Sequence, residues 1–112
     1  GAVIILSSTF YFTSRAVDPD EVEAKYYTAM SWYAGGIARF NNGKYNESIK
    51  YFEQAVRRDP VNVQLRVSLI AALATAGDEN RASAELEEGL RLFPGNRSLE
   101  GLERKLGRRD RN

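Results

Sequence analysis

The chain has 112 residues, 43% hydrophobic and 28% charged, enough for one domain with a modest core. Its formal net charge of +1 argues against an overall binder of nucleic acid or anionic membrane. It contains no cysteine and no histidine, so disulfides and thiolate ligands are excluded, a zinc site would need carboxylates alone, and the commonest general base is missing.

Residues 2–13, AVIILSSTFYFT, form the most apolar run. A membrane span needs about 20 apolar residues. This run holds two serines and stops at Arg15, so it is too short to span unless its front was cut away. As a strand it would place Ala2, Ile4, Leu6, Phe10 and Phe12 on one face; as a helix it would gather Val3, Leu6 and Phe10. Periodicity does not decide between them, and the lack of a visible sheet partner elsewhere leans toward helix. Because the chain opens at Gly1 rather than methionine, a processed or trimmed end, or a Gly-Ala remnant of expression, is expected there. An extracellular or cell-surface location would follow from a processed Gly1.

Asp18-Pro19-Asp20-Glu21 reads as a capped helix start, with proline at the first helical position and glutamate three residues after the cap. Nothing interrupts the pattern afterwards, which predicts one long helix from Pro19 to about Phe40, broken by Asn41-Asn42-Gly43. The Gly35-Gly36 pair inside it points to close helix packing. A second helix is predicted over Tyr45 to Arg58, with Ile49, Phe52 and Val56 inward, ended by Asp59-Pro60. Asn62 caps a third helix to Thr75, with Leu65, Leu69 and Leu73 inward, closed by Gly77. A fourth spans Asn80 to Leu92, with Ala82, Leu86 and Leu90 inward. Asn96 caps a last helix to about Leu106, whose stripe is Leu99, Leu102 and Leu106. The domain division is therefore an apolar segment and linker over 1–17, a helical domain over 18–107 and a basic, fraying tail over 108–112.

The helical part repeats. Pro60 and Pro94 are 94 − 60 = 34 residues apart, and the same step carries Gly43 to Gly77, Ser48 to Ala82, Phe52 to Leu86, Ala55 to Gly89 and Asn62 to Asn96. A period of about 34 residues marks a two-helix repeat. Residues 31–60 resemble a tetratricopeptide repeat, with Trp32, Gly36, Gly43, Tyr45, Ser48, Phe52, Ala55 and Pro60 on its signature spacing. Residues 63–96 match through Ala72, Gly77, Ala82, Leu86, Gly89 and Pro94 but depart at Arg66, where the family has an aromatic, and at Ile70, where it has glycine. In the first unit Gly35 replaces the usual leucine and Arg39 the usual bulky residue. The fold expected is thus all-α: two tetratricopeptide-like repeats with a long leading helix, a C-terminal capping helix and an apolar N-terminal segment.

The resemblance implies protein binding and not a reaction. By position it implies a groove lined by Met30, Tyr33, Ile37 and Phe40 from the first unit and by Gln64, Val67, Ala71 and Ala74 from the second. Relatives that clamp an acidic C-terminal peptide present lysine and asparagine there; Tyr33 and Ile37 make this groove apolar and argue against that ligand. An array of two repeats is short, since about three are usually needed to bury a continuous core.

An apolar groove beside an apolar segment suggests that one receives the other. The donor would be Val3, Ile4, Ile5, Leu6, Phe10, Tyr11 and Phe12, inserted into a neighbouring copy to build a filament-like polymer. The ends are complementary in charge: residues 16–30 carry four acids and Lys25, a net of −3, while residues 97–112 carry six bases and three acids, a net of +3. The alternative is a membrane-tethered or complex-bound scaffold that binds another protein's segment. No catalytic residue, cofactor, metal, nucleic acid or small-molecule substrate is expected. Asn46-Glu47-Ser48 and Asn96-Arg97-Ser98 fit the glycosylation pattern, but capping of helix starts explains both asparagines. Glu85, Glu87 and Glu88 lie on a polar helix face with no visible acid–base partner. The basic C-terminal residues read as a solvated helix end.

Overall fold

The computed structural model describes residues 28–111. Five helices are present among them, and no strand: α1 (Ala29–Asn41), α2 (Tyr45–Arg58), α3 (Val63–Thr75), α4 (Glu79–Leu92) and α5 (Arg97–Arg111). Successive helices pack against each other, α1 on α2, α2 on α3, α3 on α4 and α4 on α5, and α5 also reaches α3. This is the all-α, two-hairpin array with a terminal cap that the 34-residue step predicts.

The first helix is shorter than expected. Thr28 sits in extended backbone at ψ 165°, and its side chain accepts a hydrogen bond from the Ser31 backbone N–H at 3.2 Å. A threonine in that conformation is an N-cap, so the uninterrupted helix from Pro19 is corrected: α1 starts at Ala29. The capped start at Asp18 and the donor segment lie outside the described residues.

The other boundaries follow their punctuation. Asn62 accepts from the Gln64 N–H at 3.1 Å and caps α3. Asp78 accepts from the Arg81 N–H and caps α4, which starts at Glu79, one residue before the expected Asn80. Asn96 accepts from the Leu99 N–H at 3.1 Å and caps α5. Asn46 is different. Lys44 occupies the cap position of α2 and makes no side-chain cap bond, and Asn46 lies inside the first turn, so the capping account of Asn46 is corrected. The turns within the two hairpins place Gly43 at φ 77° and Gly77 at φ 90°, left-handed backbone that glycine adopts without steric penalty. The last helix continues to Arg111, past the expected end near Leu106.

The core forms where the repeat predicts it. Phe52, Ala55, Leu65, Leu69, Leu73, Ala82 and Leu86 are all buried, with Leu99 and Leu106 of α5 closing the far end. α3 buries Ile70, Ala72 and Ala74 as well, because it lies between α2 and α4 and is apolar nearly all round. The glycine pair does pack closely. A Cβ on Gly36 would stand 2.5 Å from Phe52, and one on Gly35 would stand 2.7 Å from Tyr51.

Candidate protein-binding surfaces

Among the described residues no group of three or more His, Cys, Asp or Glu side chains is placed to hold a metal ion. No helix among them is long and apolar enough to cross a membrane. What the hairpins do build is a set of surfaces of contrasting chemistry.

On one side lie the residues of the expected groove. Tyr33, Ile37 and Phe40 of α1 and Val67 of α3 are half-buried and pack against the core. Tyr33 ties the two units together: its ring meets Phe52 at 5.8 Å, and its hydroxyl oxygen accepts from Ser68 on α3 at 3.5 Å. Met30 is exposed, at 56%, and Gln64 is also exposed, while Ala71 is half-buried. Two members of the set offer less than their positions suggest. Ala74 is buried in the core, and the Phe40 ring is engaged edge-on by Tyr45 at 5.0 Å. Of the expected set, Met30 and Gln64 are thus exposed, Tyr33, Ile37, Phe40, Val67 and Ala71 keep part of their surface accessible, and Ala74 does not.

A second surface follows the seam between α1 and α2. Trp32 and Tyr51 meet at 5.4 Å between ring centroids. Arg39 lies over the Tyr51 ring at 3.9 Å and Arg58 over the Trp32 ring at 4.9 Å. Arg39 occupies the family's bulky position without leaving a hole, because its guanidinium stacks on the ring and donates to the Gly35 carbonyl at 3.1 Å.

The matching seam of the second hairpin is built from ions instead. The step of 34 carries Trp32 to Arg66 and Tyr51 to Glu85, and these two form an ion pair at 2.8 Å. Arg66 is buried, at 7% exposure, and its Cδ fills the space beside Gly89, 2.9 Å from where a Cβ would stand. Its Nε has no hydrogen-bond partner among the described residues. Sequence reasoning placed Arg66 as a departure from the family and Glu85 as a solvated carboxylate, and missed that each answers the other. The signal was available in the repeat itself, because both substitutions fall at equivalent positions.

The remaining charges are surface features. Arg81 of α4 pairs with Glu53 of α2 across the two hairpins at 2.5 Å. Arg91 binds Glu88 through both Nε and Nη2. That hydrogen bonding, reinforced by the Arg91 charge, holds the Glu88 carboxyl below its ordinary range and raises the Arg91 guanidinium above its own. Of the two glycosylation triplets, Asn46 is exposed, but Ser48 is buried with its hydroxyl donating to the Tyr45 carbonyl at 2.7 Å. Asn96 is half-buried and committed to its cap.

A comparison with curated proteins found no match. A family model described as tetratricopeptide repeat matches residues 33–97, more than half of the chain, from within α1 to the start of α5. Together with the 34-residue step, the buried signature positions and the two helical hairpins, this match shows that the chain belongs to the tetratricopeptide repeat family.

Proposed function

We propose that the chain is a non-catalytic assembly module that takes an apolar protein segment along α1 and α3, and that the segment is Val3 to Phe12 of a neighbouring copy. Tetratricopeptide repeats in general mediate protein–protein interaction. The observation that carries the finer reading is the strip of Tyr33, Ile37, Val67 and Ala71, with exposed Met30 at its end: apolar side chains that the fold itself leaves only partly covered. Each large aliphatic or aromatic side chain buried there contributes about 1.5 to 3 kcal/mol, and the run from Val3 to Phe12 holds several. A head-to-tail contact of this kind is heterologous and propagates into rings or open filaments. The complementary net charges of residues 16–30 and 97–112 favour the same arrangement, although exposed pairs add only about 0 to 1 kcal/mol each.

The test is the state of association of the intact chain, by light scattering with negative-stain microscopy at several concentrations. Regular polymers that disappear on deletion of residues 1–14 are the expected result. A monomer at high concentration overturns the exchange, and retention of the intact chain on membranes, lost on the same deletion, would favour the tethered scaffold.

A further inference from the structure

We infer that the seam between α1 and α2 is a docking surface for an acidic protein segment, its carboxylates taken by Arg39 and Arg58. The two guanidiniums stand at the ends of a ladder, Arg39–Tyr51–Trp32–Arg58, with steps of 3.9, 5.4 and 4.9 Å. A guanidinium held over an aromatic face keeps its full charge, and the N–H groups not used within the helix remain able to bond a carboxylate. Each arm is further fixed along its own helix: Arg39 donates to the Gly35 carbonyl at 3.1 Å, and Arg58 to the Gln54 side-chain oxygen at 2.6 Å.

These bonds fix the arginines without neutralising them. Among the described residues neither has a carboxylate within ion-pair distance, whereas Arg66, Arg81 and Arg91 each hold one. The arrangement is also confined to the first hairpin. Adding 34 takes Arg39 to Leu73, which is buried, and Arg58 to Leu92, which is exposed, so packing of the repeat does not require a cation at either position.

Charge complementarity selects the occupant. The three steps bound the separation of the two cations, which is within reach of carboxylates up to about four residues apart in an extended chain that advances about 3.3 Å per residue. A nucleic acid strand asks for a continuous basic groove, which two isolated guanidiniums do not supply. The surface is distinct from the apolar strip along α1 and α3, and the inference does not depend on what that strip binds.

Trp32 is the one tryptophan of the chain and lies within the ladder, so its fluorescence reports on the seam. The probe is a synthetic peptide copying residues 16–24, AVDPDEVEA, with a control in which every Asp and Glu is the amide. The proteins are the intact chain and its Asp18→Asn, Asp20→Asn, Glu21→Gln, Glu23→Gln variant, whose own acidic run no longer competes. A saturable change in Trp32 emission with the acidic peptide in at least one of them, weaker in salt and absent with the amide peptide, is expected. Arg39→Gln with Arg58→Gln should then weaken binding about tenfold while leaving the circular dichroism spectrum unchanged. No saturable response in either protein, equal response to the amide peptide, or a response to a single-stranded oligonucleotide alone overturns the inference.

Discussion

Arg66 and Glu85 form, at 2.8 Å, an ion pair in the two positions where the first hairpin holds the Trp32–Tyr51 ring pair. One repeat closes its seam by stacking and the other by charge, on the same backbone. The pair is asymmetric, with the Arg66 side chain 8% exposed and that of Glu85 32%. Removing the carboxylate therefore costs more than removing the base. Glu85→Ala strands a buried guanidinium and should destabilise by about 1 to 3 kcal/mol. Arg66→Met keeps a stem beside Gly89 and frees a half-exposed carboxylate, and should cost less. Urea unfolding of both single variants and the double variant gives the coupling; a value near zero would mean that the pair is incidental.

Gly36 and Phe52 form a close approach of α1 to α2. A methyl group at position 36 would stand 2.5 Å from the ring, and the ring has no space to withdraw into because Phe52 is 1% exposed. Gly36→Ala gains up to about 1 kcal/mol of helix propensity and should still lose about 1 to 3 kcal/mol net through overpacking. Phe52→Leu in the same chain should recover part of that loss, measured as a rise in the thermal midpoint over Gly36→Ala alone.

Asn96 separates a cap from a glycosylation acceptor. Asn96→Ala should cost about 1 kcal/mol, because the Leu99 N–H loses its acceptor. Asn96→Asp removes the acceptor triplet and preserves the cap, so its unfolding midpoint should stay near that of the parent. If Asp destabilised as much as Ala, the cap geometry would not be the reason for the residue.

The Glu88–Arg91 pair carries a pH signature of known sign. Arg91 depresses the Glu88 carboxyl in the folded state, so the pair's contribution is present above the ordinary carboxylate value and is lost as pH falls through the depressed one. Arg91 is exposed and Glu88 only partly covered, so solvent screens the pair and the effect is small. Glu88→Gln should lower the thermal midpoint slightly at neutral pH, and parent and variant should converge once the carboxylate is protonated. A difference that persists in acid would point to a packing role for the side chain instead.

Much of the fold was legible because its determinants are local or periodic. Phe52, Ala82 and Leu86 fell inward as their spacing required, and Asn62 and Asn96 capped the helices they precede. The start of α1 was not legible in the same way: Asp18-Pro19-Asp20-Glu21 and Thr28 both carry start signals, and nothing in a continuous helical pattern says that the later one breaks it. The surfaces were harder still. Arg39 over Tyr51 and Arg66 against Glu85 join residues on different helices, and a linear pattern scores each as an isolated departure. Ala74 and Ile70 showed the opposite error, since an inward stripe drawn on one face misses how completely α3 is enclosed.

Two units in one register give a folding chain a choice of partners, since α1 could in principle close on α4 as well as on α2. The unlike seams remove that ambiguity. Pairing α1 with α4 would set Trp32 against Glu85 and leave Arg66 without its carboxylate, while Gly36 would face Leu86 in place of the ring it is shaped to receive. The departures from the repeat thus act as addresses that favour each helix in its own hairpin over the crossed pairing.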